Sequence, residues 1–117
     1  MTAESAEKTE PFITLTGTDS LDEVFARSND TPVILFKHSL TCPISSAAYQ
    51  EMKRLTHDVS LIVLQRSRDT SDEIERRTGI RHESPQVIIV RNGAAVWNAS
   101  HWSITAKEVE LAVNKSE

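Results

Sequence analysis

The only cysteine of the chain, Cys42, is followed directly by Pro43 and, three residues on, by Ser45. A thiolate is a nucleophile and a thiol is not, so the chemistry here depends on what surrounds the sulfur. Proline suits the first helical position, where its missing N–H would have no intrahelical partner. Cys42 then becomes the helix N-cap, and its sulfur is expected to accept hydrogen bonds from the N–H groups of Ile44 and Ser45. The positive end of the helix dipole adds to that field and favours the thiolate. The alternative is a free cysteine acting as a small buried hydrophobe. A strand–helix junction before proline fits a reactive sulfur better.

Two elements must hold this sulfur. Upstream, Val33-Ile34-Leu35-Phe36 is an unbroken apolar run, read as a strand buried on both faces. Downstream, Ile44, Ala48, Met52 and Leu55 recur at helical spacing with Ala47 beside them, and this helix is expected to end near His57 and Asp58. Elsewhere strands and helices alternate. Phe12–Leu15 reads as a short strand, Leu61–Leu64 and Val87–Val90 as buried strands. Ser20 with Glu23, Thr70 with Glu73, and Thr105 with Glu108 have capping-box spacing and mark three further helix starts. Gly79 stops the second of these, and Ile104 is placed to staple onto Val109 in the last. Asn92-Gly93 is a two-residue hairpin signal, so Ala94–Trp97 should return antiparallel. The fold class is α/β: a central mixed five-stranded sheet, with a parallel core and an antiparallel C-terminal hairpin, flanked by about four helices.

Composition narrows the function. The chain of 117 residues suits one domain, expected over residues 12–117 after a disordered tail over residues 1–11. With 13 basic and 17 acidic side chains and no basic block, there is no footprint for nucleic acid. No stretch has the apolar length to cross a membrane. The first ten residues are polar with three glutamates, unlike a secretory signal. A lone cysteine forms no internal disulfide, and the simplest compartment is a reducing cytoplasm.

The layout, with a cysteine opening the helix after the second strand, resembles the thioredoxin-like fold. Thr41-Cys42-Pro43-Ile44-Ser45 stands where thioredoxins and glutaredoxins carry two cysteines separated by two residues. Ser84-Pro85, which lies 43 residues beyond Cys42, stands where that fold keeps a cis-proline facing the active cysteine. More narrowly, Thr41–Ser45, the Glu83-Ser84-Pro85-Gln86 segment and His101-Trp102 resemble the YtxJ-type monothiol bacilliredoxins, implicated in removing the small thiol bacillithiol from mixed disulfides on client proteins. The resemblance implies Cys42, Pro43 and Ser45 as catalytic residues, Ser84 and Pro85 as the substrate-pairing loop, and no bound cofactor beyond the small thiol itself as co-substrate. Because position 45 is serine, no resolving cysteine lies three residues on, and what remains is exchange by one thiol. The Ser45 hydroxyl could still donate to the sulfur.

Other candidates are less defined. His38 is placed to stabilise the thiolate or to serve as a core or surface histidine. Arg81 and His82 precede the Ser84–Pro85 loop and suit a carboxylate of the small thiol, against the alternative of solvated loop residues. Lys37 reads as a solvated strand-end charge, and His101 with Trp102 as packing residues. The histidines at 38, 57, 82 and 101 make no metal motif with Cys42. Two rival functions share the fold. An iron–sulfur carrier of the monothiol glutaredoxin kind typically has Cys-Gly-Phe-Ser where this chain has Cys42-Pro43-Ile44-Ser45. A redox-inert binding module is the other.

Overall fold

The computed structural model describes residues 10–117. Of the expected tail, residues 1–9 lie outside the described residues. In chain order the elements are β1 (Phe12–Thr14), α1 (Thr18–Arg27), β2 (Val33–His38), α2 (Pro43–Met52), β3 (Val59–Val63), α3 (Arg68–Thr78), β4 (Gln86–Arg91), β5 (Ala94–Ser100), a 3-10 turn (His101–Ser103) and α4 (Ala106–Lys115). No helix among the described residues is long and apolar enough to cross a membrane.

The strands form one mixed sheet in the order β1-β3-β2-β4-β5. β1 and β2 pair parallel with β3, while β4 joins β2 antiparallel and β5 joins β4 antiparallel. The parallel core is therefore β1, β3 and β2, and the third apolar run enters in the opposite direction. An unbroken apolar run reports burial on both faces and says nothing of direction. Direction is set by the segment from Gly79 to Pro85, which climbs back beside α3 before β4 begins. At its far end Asn92 and Gly93 both take positive φ, 55° and 79°, as a two-residue hairpin turn requires.

Side chains of β2 alternate between two layers. Ile34 and Phe36 enter the core under α2 and α4, with Met52, Val109 and Val113. Val33 and Leu35 enter the core under α1 and α3, with Leu21, Val24 and Ile74. Each such fully buried aliphatic side chain contributes about 1.5–3 kcal/mol. Carried on, the alternation puts Lys37 on the α3 face and His38 on the α2 face. Both are buried, at 1% and 7% exposure.

Two helix starts differ from the capping-box reading. α1 begins after Gly17, and Ser20 Oγ donates back to the Gly17 carbonyl. α3 begins after Ser67, so Thr70 lies inside its first turn and is buried. α2 ends at Met52, short of His57, with Leu55 packing from the following turn. The last helix starts as expected: Glu108 N–H donates to Thr105 Oγ1 at 3.2 Å, and Ile104 and Val109 share one core. Gly79 closes α3 in the left-handed conformation at φ 73°.

Candidate functional site

Cys42 lies at the end of the sheet where β2 finishes. Its extended backbone (φ −103°, ψ 123°) makes it the N-cap of α2, with Pro43 in the first turn. Its carbonyl accepts the Ser46 N–H at 3.0 Å. The sulfur, however, receives no cap hydrogen bond from the helix. A thiol is a weak acceptor, so the backbone reaches the N-cap conformation without drawing the side chain in. What remains of the expected activation is the helix field, unopposed by any acidic residue in the first turn. Cys42 is partly exposed and unpaired with any other cysteine, as attack on an external disulfide requires.

Ser45 does not serve the sulfur as expected. It is fully buried, and its Oγ accepts the Ser39 N–H at 2.9 Å and pairs with His38 Nδ1 at 2.7 Å. Both partners lie on the chain leading into Cys42, so the hydroxyl fastens the first turn of α2 to the end of β2. His38 packs between Phe36 and Tyr49, with ring centroids 5.5 and 4.9 Å away. Burial holds its pKa below the usual imidazole value, with the Ser45 backbone working the other way. His38 is thus a core histidine that positions Ser45.

The loop from Ser39 to Thr41 is held from a second side. Gln65 Oε1 accepts the Leu40 N–H at 3.1 Å, and Gln65 Nε2 donates to Ser39 Oγ at 3.0 Å and Thr41 Oγ1 at 3.4 Å. Sequence reasoning passed over this residue. The sequence shows only that Gln65 follows an apolar run; the parallel pairing of that strand with β2 is what brings both strands to finish at the same end.

The Ser84–Pro85 loop arrives at this end too. Lys37 pairs opposite Gln86, and one further step along the register brings Pro85 beside His38. The Ser84–Pro85 peptide is cis. Ser84 Oγ is buried without a hydrogen-bond partner. A polar network anchors the loop. Gln86 Nε2 donates to the Arg81 carbonyl at 2.9 Å, and His82 N–H donates to Glu75 Oε2 at 3.2 Å. Lys37 Nζ lies 3.2 Å from His82 Nδ1, with Ser71 Oγ at 3.3 Å from the same nitrogen.

Lys37 is thus not the solvated charge its sequence context suggests. The α3 face of β2 covers it, and burial lowers its pKa while Glu75 and Asp72 pull it back up. His82 is pushed down by burial first, then by the charges of Lys37 and Arg68, against Glu75 and Asp72. His82 therefore works inward, holding the loop. Arg81 is exposed and free to meet an anion. His101 and Trp102 are not packing residues. The His101 N–H donates to the Pro85 carbonyl at 3.0 Å, and Trp102 projects with 70% exposure.

With one cysteine in the whole sequence, any thiol redox cycle on this fold is carried by Cys42 alone, which makes the chain a monothiol oxidoreductase of the thioredoxin fold. Comparison with known proteins narrows the class. The monothiol bacilliredoxin BrxC family matches residues 13–109, and the chain belongs to it. A solved thioredoxin-fold structure, described as that of a candidate oxidoreductase, is 34% identical, with TM-score 0.80 over 87% of this chain and 93% of its own. Two thioredoxins share the fold at much lower identity. The one from Nicotiana alata is 13% identical, with TM-score 0.72 over 92% of this chain and 94% of its own. The one from Fasciola hepatica is 7% identical, with TM-score 0.70 over 89% and 98%. The activity is thiol–disulfide exchange.

Proposed function

We propose that Cys42 removes bacillithiol from mixed disulfides on client proteins. The thiolate of Cys42 attacks the small-thiol sulfur of the mixed disulfide. One S–S bond forms, another breaks, and the client departs as a thiolate that takes a proton from water. Cys42 is left carrying the small thiol. A second molecule of the small thiol then attacks that disulfide, releasing an oxidised small-thiol dimer and restoring the Cys42 thiolate. The observation that carries this reading is Ser45, buried and bonded to His38 and Ser39 where a resolving cysteine would stand. A chain without a second thiol must hand its adduct to another molecule.

Bacillithiol as the thiol is supported by the family's description as bacilliredoxins. Exposed Arg81 and the buried, unpartnered Ser84 hydroxyl supply polar groups for its malic-acid and sugar portions. A reducing cytoplasm suits a cycle that consumes free thiol. The test is to load a cysteine-bearing client with bacillithiol, glutathione or coenzyme A and follow its release by the reduced protein. Fastest release of bacillithiol supports the reading. Equal rates for all would overturn the thiol assignment, and no release would overturn the exchange itself.

A further inference from the structure

We propose that His101 is a positioning residue for thiol–disulfide exchange: it fixes the residues on both sides of Ser84 and so sets the loop that closes on the Cys42 end of the sheet. The proposal rests on the reading of that loop as the place where a substrate pairs.

The starting observation is backbone conformation. Among the described residues two that are not glycine take positive φ, Asn92 and His101, both at 55°. The hairpin turn that Asn92 makes with Gly93 accounts for the first. His101 makes no hairpin. A left-handed residue with a side chain is unfavourable, and it persists where its surroundings hold it from several sides. His101 is held in this way. Before it, β5 pairs with β4 up to Ser100, which stands opposite Gln86. After it, Ile104 is buried in the core under α2 and α4 and donates its N–H to the His101 carbonyl at 3.3 Å.

The turn grips the loop at two points. The His101 N–H donates to the Pro85 carbonyl at 3.0 Å, one rung beyond Gln86 and Ser100. Proline has no N–H to return, so this rung is a single main-chain bond. The second grip is made by the side chain. His101 Nε2 lies 3.5 Å from Glu83 Oε1, an ion pair when the imidazole is protonated.

Glu83 and Pro85 are the two chain neighbours of Ser84. Ser84 Oγ is buried without a hydrogen-bond partner, so its own side chain does not fix it. Its placement depends on what holds those neighbours. Gln86 and Glu75 anchor the loop from within and from α3, at Arg81, His82 and Glu83. His101 supplies the anchor from β5. The His101 and Glu83 side chains are 45% and 41% exposed, so theirs is a surface ion pair and its effect on a rate is modest. That effect is also selective. A displaced Ser84 backbone penalises a substrate that pairs an amide there, and spares a disulfide that has none.

The test times two reactions of the reduced, full-length protein. One is release of bacillithiol from a cysteine-containing peptide. The other is loading of Cys42 by 2-hydroxyethyl disulfide, which carries no amide. His101→Ala and Glu83→Ala should each slow the peptide reaction about threefold and slow the loading far less. The double variant should be no slower than His101→Ala alone, because both substitutions remove one contact. His101→Arg, which restores a cation within reach of Glu83, should recover the parent rate. Additive losses in the double variant, equal slowing of the two reactions, a Glu83→Ala rate equal to the parent's, or no recovery in His101→Arg would overturn the role. A parent that loads with 2-hydroxyethyl disulfide but leaves the bacillithiol peptide intact overturns the bacillithiol reading, and the same variants acting on the glutathione-bearing peptide then judge His101.

Discussion

His38 Nδ1 lies 2.7 Å from Ser45 Oγ, which joins the last residue of β2 to the first turn of the helix that Cys42 caps. Because Ser39 N–H shares the same oxygen, one hydroxyl sets the path of the chain on both sides of the reactive loop. Removing it leaves a part-buried N–H and a buried imidazole nitrogen without a partner. Ser45→Ala should therefore cost about 1–3 kcal/mol. Urea unfolding at neutral pH measures this, and an unchanged midpoint would mean that the hydroxyl does not hold the loop.

Ser45→Cys tests the one-thiol cycle from the other side. The variant should resolve its own adduct, expelling the small thiol as an internal disulfide forms with Cys42. The parent chain should keep the adduct until a second thiol arrives. Release followed by mass in the absence of added thiol separates them, and equal retention by both would show that position 45 does not govern resolution.

The pH dependence of stability follows from the two lowered histidines. Burial leads the lowering at His38, against the Ser45 backbone, and at His82, where the Lys37 and Arg68 charges add to it. As pH falls through the ordinary imidazole value of about 6.5, the unfolded chain takes up protons before the folded one does. Stability contributed by these groups is full above that value and declines below it. Urea midpoints should fall between about pH 7 and pH 5, and His38→Phe, which keeps a ring between Phe36 and Tyr49, should make the slope shallower. A parent curve that rises toward acid would contradict the assignment.

Much of this arrangement was legible in the sequence because it rests on local signals. Pro43 marked the start of α2, Asn92-Gly93 the hairpin, Thr105 with Glu108 the last helix, and the apolar runs the buried strands. What escaped depends on neighbours distant in the chain. Lys37 reads as a solvated end of a strand until α3 covers it. Gln65 is an ordinary polar residue until β3 pairs with β2. The N-caps at Gly17 and Ser67 were hidden by capping-box spacing that starts three residues further on, at Ser20 and Thr70. The direction of β4 depends on the Gly79–Pro85 segment, which has no periodicity to read.

Lys37→Met separates loop placement from fold stability. Methionine keeps the length and apolar stem while removing a charge buried at 1% exposure. Replacing a buried charged group by an apolar one of similar shape is often neutral or stabilising. Stability at neutral pH should therefore hold or rise. His82 loses one of its anchors, and release of a small thiol from a mixed disulfide should slow about fivefold, the equivalent of one hydrogen bond. Alkylation of Cys42 by iodoacetamide, which needs no loop, should slow much less. Equal slowing of both reactions would mean that the Lys37–His82 contact does not act through the loop.

The most direct measurement is intact-mass analysis of the protein after exposure to oxidised bacillithiol. The account predicts one adduct per chain, located on Cys42, absent in Cys42→Ser, stable in buffer and discharged on addition of reduced bacillithiol. A chain that takes up no adduct, or that sheds it with no second thiol present, would contradict exchange through Cys42 alone.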